Sequence, residues 1–248
     1  MSSELLEETL DKNILILRLN RPKSHNALNK NLALEFCEKL ERAERGKIKV
    51  VIITGAGSKA FCSGQDMIEE SSRAVEASEK VSAYIAIDRL AQVKIPTIAA
   101  INGFCFGGGA ALAALCDIRI SAQTALFRLP GAQYGLVVAA ATLPRLVGVA
   151  RAKELIFTAR QFDSSDALKW GFVNHVCQPS ELINFSVEMA YQIADNSFLA
   201  VKESKRIIDD TQDVLGSLLE EAEVNKKLRG SAEQLERFQS ATRQLIND

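Results

Sequence analysis

The segment from Lys94 to Ser121, KIPTIAAINGFCFGGGAALAALCDIRIS, decides the fold class of this chain. Within it, Thr97–Ile101 is a short apolar run that predicts a buried strand, and Asp117–Ser121 predicts a second strand. Between them, the small apolar residues of Gly107–Leu115 indicate a helix that opens with three consecutive glycines. A strand, a helix and a strand in succession predict an α/β architecture.

The glycine run at the start of that helix has two interpretations. Glycine lets a ligand approach the backbone closely, and the first amides of a helix lack intrahelical acceptors and carry partial positive charge. Such a helix start can hold an oxyanion or a phosphate. The same small residues would also permit tight packing of the helix on a strand. The spacing matches neither the P-loop nor the dinucleotide-binding glycine motif, so it gives no support to those two nucleotide sites.

The chain on either side of this segment continues the alternation of strands and helices up to about Pro179. The continuous β-branched run VVIIT is typical of a strand buried on both faces of a parallel sheet. Asn29 is a plausible N-cap for the first long helix. The predicted elements are a strand at Ile14–Leu19 that Leu5–Leu10 could pair with, a helix from Lys30 to about Arg45, the strand Val50–Thr54 and a polar helix at Ser71–Ala91.

Beyond Pro179 the pattern becomes wholly helical. We place a domain boundary near Asp195, which gives an α/β core over residues 1–195 and a helical module over residues 196–248. Helical modules of this kind, with charged faces beside apolar stripes, often pack on another subunit. The predicted helices are Glu181–Ala194, Phe198–Asp210, Val214–Lys227 and Glu233–Ile246.

Composition excludes several classes of function. The chain has 248 residues with 30 basic and 31 acidic side chains, so no basic excess favours nucleic acid. No apolar run is long enough to predict a membrane span, and the first 13 residues are too acidic for a signal peptide. The five cysteines form no C-x-x-C pair, which favours reduced thiols over disulfides or a zinc site. We therefore expect a cytoplasmic protein without a metal.

A second motif, AFCSGQDM at Ala60–Met67, follows the Val50–Thr54 strand. Taken alone it is a polar turn containing an aspartate. It does not match G-x-S-x-G, so Ser63 is a poor candidate for a nucleophile. Its significance depends on the motifs around it.

Four motifs occur in order along the chain: N-R-P-x-x-x-N-A-L at Asn20–Leu28, A-F-C-S-G-Q-D at Ala60–Asp66, N-G-x-x-x-G-G-G at Asn102–Gly109 and C-D-I at Cys116–Ile118. Together they closely resemble those of the crotonase (enoyl-CoA hydratase/isomerase) superfamily. The similarity continues through Leu143–Gly148 and Ala167–Val176, so it covers nearly the whole chain. The resemblance implies a spiral of ββα units followed by a C-terminal helical trimerisation module. It also implies a homotrimer or a dimer of trimers.

The resemblance further implies a mechanism and a substrate class. The substrate would be an acyl-CoA thioester, with coenzyme A as part of the substrate and no separate cofactor. The thioester oxygen would receive hydrogen bonds from the backbone N–H groups of Gln65 and Gly108, which form an oxyanion hole. Such a site would suit a lyase or isomerase of fatty acid metabolism.

The resemblance also implies a nucleotide pocket built largely from backbone groups. Lys23 could meet a phosphate or remain a solvated surface lysine, and His25 is expected to form a pocket wall rather than a catalyst. His175 is expected to be structural. Asp66 and Asp117 are expected to bond backbone N–H groups. The expected substrate-binding residues are Lys23, His25, Ala27, Ser63, Gly64, Gln65, Asp66, Met67 and Gly107.

The chain departs from the hydratase pattern at both catalytic glutamates, which are Ala111 and Gly131 here. Neither residue can transfer a proton, so three interpretations remain. A hydratase or isomerase could use another base, with Glu69, Glu70 and Tyr134 as candidates. A malonyl-type acyl-CoA could be decarboxylated without a base if Gln65 or Arg128 contacts its second carboxylate, and Lys153–Ala159 is similar to superfamily decarboxylases. The protein could also bind acyl-CoA without catalysis.

Overall fold

Two β-sheets form the framework of the computed structural model, which describes residues 4–69 and 84–247, with the side chains of 244–247 excepted. The larger sheet has the strand order β1-β2-β3-β5-β7-β10, and the smaller has the order β4-β6-β8-β9. The strands are β1 Leu6–Asp11, β2 Ile14–Leu19, β3 Val50–Gly55, β4 Ala60–Cys62, β5 Thr97–Ile101, β6 Phe104–Phe106, β7 Ile118–Ala122, β8 Leu126–Arg128, β9 Phe162–Asp163 and β10 His175–Cys177.

From β3 to β8, successive strands alternate between the two sheets, which agrees with the spiral of repeated units that the family resemblance implies. β3, β5 and β7 lie side by side and parallel in the larger sheet, and β4, β6 and β8 lie side by side and parallel in the smaller one. Every residue of β3 is buried, as its β-branched composition indicates. The predicted pairing of the first two strands is confirmed, because Leu6 lies opposite Leu19 in an antiparallel ladder.

Ten helices complete the described part of the chain. Asn29 caps the first of them as predicted, since its Oδ1 accepts the N–H of Leu32 at 2.9 Å. The helices are α1 Lys30–Arg45, α2 Ile85–Ala91, α3 Gly108–Leu115, α4 Leu143–Val147, α5 Val149–Thr158, α6 Ser164–Lys169, α7 Leu182–Ala194, α8 Phe198–Asp210, α9 Val214–Leu228 and α10 Ala232–Asn247. Of the helix predicted over Ser71–Ala91, only α2 falls within the described residues.

Two apolar cores lie on opposite faces of the larger sheet. One contains α1, α3 and most of the smaller sheet, and the other lies under α7. The Phe127, Phe162 and Phe172 rings contact one another in the first core, with centroids between 5.2 and 5.8 Å apart. Burial of large aromatic side chains of this kind stabilises the folded state.

The helices after residue 195 differ in how they meet this core. Helix α8 has no buried residue in the single chain, although Lys205 on it bonds both carboxylate oxygens of Asp117 at 2.7 and 2.8 Å. Helices α9 and α10 return toward the core, where Phe238 contacts Tyr134. Across residues 4–69 and 84–247, none of the helices combines the length and apolar character needed to cross a bilayer.

Candidate functional site

The amino-terminal end of α3 depends on two glycines for different reasons. Gly107 precedes the helix with φ 51°, which favours glycine because a side chain would be strained there. A Cβ built on Gly109 would lie 2.1 Å from the carbonyl oxygen of Cys62, so α3 meets β4 too closely for any side chain. The close packing interpretation of the glycine run therefore applies at Gly109, whereas Gly107 is required by its backbone conformation.

The turn that contains Gln65 lies directly beside this helix end. A Cβ built on Gly108 would be 3.6 Å from the backbone nitrogen of Gln65, and one built on Gly64 would be 3.1 Å from the nitrogen of Gly108. The structure thus brings the two predicted donor nitrogens together, although Gln65 and Gly108 are 43 positions apart along the chain. The first N–H groups of a helix have no intrahelical acceptor.

The N–H of Gln65 is oriented by a short parallel bridge to Leu28. The N–H of Leu28 donates to the carbonyl oxygen of Gly64 at 2.7 Å, and the N–H of Asp66 donates to that of Leu28 at 2.9 Å. In a parallel bridge the residue between two such bonds directs its own N–H to the opposite side. The N–H of Gln65 therefore points away from Leu28.

An ion pair fixes the other side of this turn. Arg21 donates to Asp66 Oδ2 at 2.8 Å and to the carbonyl oxygen of Ala27 at 2.6 Å. Asp66 Oδ1 accepts the N–H groups of Ile68 and Glu69 at 3.1 and 3.2 Å. Asp66 and Asp117 both bond backbone N–H groups, as expected for structural residues, and Asp117 accepts that of Thr97 at 2.7 Å.

The loop from Asn20 to Leu28 lies against the same turn. Buried Asn26 holds it by donating to the carbonyl oxygens of Ala56 and Ala60 at 3.0 and 2.7 Å. The N–H of Ser63 donates to the carbonyl oxygen of His25 at 3.0 Å, and the His25 ring meets the Phe104 ring edge-on. Lys23 and His25 are exposed and Ala27 is buried. The predicted nucleotide-binding residues are therefore neighbours in space.

The wall beside the helix end is apolar at Ala111 and Gly131, the two residues that the family resemblance matches to the hydratase glutamates. Ala111 is only 4% exposed. A Cβ built on Gly131 would lie 2.8 Å from Cγ2 of Val138 and 2.9 Å from the carbonyl oxygen of Leu136. Val138 thus fills the room that a side chain at residue 131 would need.

The alternative bases have other contacts. Glu69 Oε2 accepts the N–H of Lys30 at 3.0 Å, at the start of α1. The Tyr134 ring packs on Phe238 with centroids 6.5 Å apart. Glu70 lies outside the described residues. His175 is exposed beside the Phe185 ring, far along the chain from either donor segment.

Arg128 and Gln65, the two residues predicted to contact a second carboxylate of the substrate, have different surroundings. Arg128 donates to the carbonyl oxygen of Ala159 at 2.8 Å and to Gln133 at 2.6 Å, so its guanidinium is bonded to two groups of the protein itself. The side chain of Gln65 instead meets Arg229, whose Nη2 lies 3.4 Å from Gln65 Oε1. The Arg229 guanidinium also lies over the Tyr84 ring at 5.1 Å.

Three residues that sequence reasoning missed come from the end of the chain. Arg229 follows α9, and Glu221 and Asn225 lie one turn apart on that helix and bond the segment Val137–Ala141. Burial raises the pKa of the Glu221 carboxyl, and hydrogen bonds from backbone N–H groups act in the opposite direction. An acidic residue on an amphipathic helix usually indicates a solvated face, so only the fold reveals this contact.

A cavity of about 850 Å³ lies at the opposite end of α3 from the two donor nitrogens, about 12 Å along the helix. Leu115 and Cys116 line it on the core side, and Lys205 and Ile208 line it from α8. Within residues 4–69 and 84–247, no group of three or more His, Cys, Asp or Glu side chains is arranged to hold a metal ion.

A family model described as enoyl-CoA hydratase/isomerase matches residues 9–244 of this chain. The chain belongs to the enoyl-CoA hydratase/isomerase family. A short-chain-enoyl-CoA hydratase of Clostridium acetobutylicum is 38% identical over 202 residues, which are 79% of this chain and 77% of the relative. A carnitinyl-CoA dehydratase of Proteus mirabilis is 35% identical over 217 residues, which are 86% of this chain and 83% of the relative.

Solved structures of the enoyl-CoA hydratase/isomerase family share the fold over almost the entire chain. An enoyl-CoA hydratase/isomerase from Pseudoalteromonas atlantica superposes with a TM-score of 0.89 at 29% identity, covering 97% of this chain and 98% of the other. The predicted family and α/β fold are therefore confirmed.

Proposed function

We propose that this protein processes acyl-CoA thioesters by stabilising a thioester enolate with the backbone N–H groups of Gln65 and Gly108. The observation that carries this proposal is the adjacency of those two nitrogens, with the N–H of Gln65 turned away from Leu28 and Gly108 at the start of α3. Relatives that act on enoyl-CoA and carnitinyl-CoA support the substrate class.

The two donors lower the barrier because negative charge grows on the thioester oxygen as the enolate forms. Donors that are fixed before the reaction stabilise that charge more than they stabilise the neutral ester, and each contributes about 3 kcal/mol. Arg21 and Asp66 hold the Gln65 turn, and the close contact of Gly109 with Cys62 holds α3 beside it. These contacts support a rigid arrangement of the two proposed donors.

The coenzyme A moiety would lie along the loop that contains Lys23, His25 and Ala27. Lys23 is exposed and can meet a phosphate, while the backbone between Ser63 and Met67 offers amides and carbonyls to the adenine. The Phe104 ring supports the His25 side chain at this edge. Coenzyme A then enters as part of the substrate.

The reaction within this site would be hydration, dehydration or isomerisation in the broad sense of the family, with a base other than residues 111 and 131. Ala111 and Gly131 cannot transfer a proton, and general acid–base catalysis typically contributes 10²- to 10⁴-fold. We therefore expect slow hydration of a simple enoyl-CoA.

A second reaction is favoured by Arg229. A malonyl-type acyl-CoA that loses carbon dioxide leaves the electron pair of the broken C–C bond as an enolate, whose oxygen the two N–H groups would hold until water protonates the carbon. The cationic Arg229 beside the Gln65 side chain could attract the carboxylate before it leaves. This chemistry needs no glutamate base.

A substrate panel tests these proposals. The protein is incubated with crotonyl-CoA, a 3-enoyl-CoA and methylmalonyl-CoA, and the products are followed by mass spectrometry. Release of carbon dioxide from methylmalonyl-CoA would support decarboxylation, and a shifted double bond would support isomerisation. Rapid hydration of crotonyl-CoA would contradict the importance of the missing glutamates. Tight binding with no turnover would show a protein that binds acyl-CoA without catalysis.

We also propose a homo-oligomer, a trimer or a dimer of trimers, located in the cytoplasm. Helix α8 buries no residue within the single chain, and large apolar side chains are more than half exposed on α8 and α9. Exposed apolar surface of this extent marks contact with another molecule. The side chains are Leu199, Ile207, Ile208 and Leu219. Light scattering should give three or six subunits, and a monomer would contradict the proposal.

A further inference from the structure

The segment Val137–Ala141 is held to helix α9 by four hydrogen bonds from two side chains. Asn225 accepts the N–H of Val137 at 2.9 Å and donates to its carbonyl oxygen at 2.7 Å. Glu221 accepts the N–H groups of Ala139 and Ala141, both at 3.0 Å. Glu221 and Asn225 are four residues apart, so they lie on one face of the helix. We call this pair the clamp.

The clamp acts on a segment whose conformation is unusual. Ala139 has φ 60°, a left-handed conformation that residues with a Cβ rarely adopt. Glu221 bonds the N–H of that residue, and the carbonyl oxygen of Ala139 accepts the N–H of Leu143 at 2.9 Å, at the start of α4. Contacts on both sides of the residue therefore maintain a turn that the local sequence does not favour.

This turn is followed by a contact with the segment that leads to the start of α3. Val138 is 5% exposed, and it occupies the space beside Gly131. Pro130, which precedes Gly131 in the chain, lies against Gly107. A Cβ built on Gly107 would be 3.9 Å from Cδ of Pro130. A short series of contacts thus joins the clamp, through Val138 and Pro130, to the residue before Gly108.

The burial and hydrogen bonding of the clamp indicate side chains that hold one conformation rather than side chains that are solvated. Asn225 is 6% exposed, whereas Glu220 on the same helix is exposed to solvent. A carboxylate that accepts two backbone N–H groups holds them more firmly than a neutral acceptor does. The four hydrogen bonds of these two side chains all go to the backbone of Val137, Ala139 and Ala141.

We propose that Glu221 and Asn225 are positioning residues that determine acyl-group selectivity, because they fix Val138 against Gly131 and so limit the room beside Gly108. The proposal rests on the acyl-CoA function proposed above. In this proposal, residues of the C-terminal helices influence which acyl group the α/β core accepts.

The test is the affinity of Glu221→Ala for free coenzyme A, acetyl-CoA, butyryl-CoA and hexanoyl-CoA, measured by calorimetry, with Glu220→Ala as the matched control. We expect the ratio of the hexanoyl-CoA to the acetyl-CoA dissociation constant to fall about tenfold, which is the effect of a small change in pocket volume. Affinity for free coenzyme A should stay within twofold. Val138→Ala, which enlarges the same space with the clamp intact, should shift the ratio in the same direction.

An unchanged ratio in Glu221→Ala, with Val138→Ala shifted, would overturn the clamp as a selectivity device. An equal loss of affinity for every ligand, free coenzyme A included, would also overturn it, because that is the result of general destabilisation. If Glu221→Ala does not fold, Glu221→Gln and Asn225→Ala must show the shift, and an unchanged ratio in both would refute the proposal. If the wild-type protein binds none of the acyl-CoA ligands, the proposed function fails and the selectivity role fails with it.

Discussion

The two sides of the candidate site are built on different principles. One side consists of the backbone nitrogens of Gln65 and Gly108, which glycines and a short bridge to Leu28 bring together. The other side is the wall of Ala111, Gly131 and Val138, whose form depends on side-chain packing and on a distant helix. The comparison teaches that the proposed oxyanion hole and the proposed choice of reaction can be tested separately, because different parts of the sequence form the two sides.

The largest expected effect comes from removing the glycine that lets α3 approach β4. We predict that Gly109→Ala lowers the free energy of unfolding by about 3 kcal/mol, since its Cβ would lie 2.1 Å from the carbonyl oxygen of Cys62. Urea denaturation followed by circular dichroism measures this. An unfolding midpoint equal to that of the wild type would show that the close contact is not needed.

The neighbouring glycine should show the opposite behaviour. A Cβ on Gly108 would make only an ordinary contact, 3.6 Å from the nitrogen of Gln65, so Gly108→Ala should fold with nearly wild-type stability. Its methyl group would stand beside both donors and hinder the thioester oxygen. We predict a loss of roughly 10²-fold in kcat for whichever acyl-CoA the panel identifies. Full activity of Gly108→Ala would contradict the proposal that Gly108 forms part of the oxyanion hole.

The wall can be tested by a double-mutant cycle. We predict that Gly131→Ala destabilises the fold by about 2 kcal/mol because of overlap with Val138. In a Val138→Ala background the same substitution should cost clearly less, although the carbonyl oxygen of Leu136 remains close. Thermal or urea unfolding of the four proteins gives the coupling energy. Additive effects would show that Val138 does not occupy the vacated position.

The smallest effect concerns the buried cysteines. Burial raises the pKa of Cys62 and Cys116 to about 12 and places that of Cys105 well above its usual value, so these thiols stay protonated at pH 8. Because the thiolate is the reactive form, we predict that a thiol reagent labels them only on unfolding. The half-buried Cys37 and Cys177 should react first. Fast labelling of Cys62 in the native protein would indicate that the β4 edge opens.

The backbone side of the site was predictable from the sequence because its signals are local. The run VVIIT predicts a buried strand, three glycines predict a close approach, and both are read without knowing the fold. The order of the four motifs along the chain indicated the family. That Gln65 and Gly108 lie close together in space could be predicted from that family resemblance alone.

The wall was only partly predictable. The sequence shows that Ala111 and Gly131 lack carboxylates, but not that Val138 closes the space at residue 131. Glu221 and its target Ala139 are separated by 82 residues, and an acidic side chain on a charged helix gives no local signal of burial. Arg229 was missed for the same reason. Long-range contacts of polar side chains depend on tertiary packing, which composition and periodicity do not encode.

The most direct test of the central claim is a crystal structure of the protein with acetoacetyl-CoA. The account predicts that the thioester oxygen lies about 3 Å from the backbone nitrogens of both Gln65 and Gly108. A bound ligand whose thioester oxygen contacts neither nitrogen would contradict it.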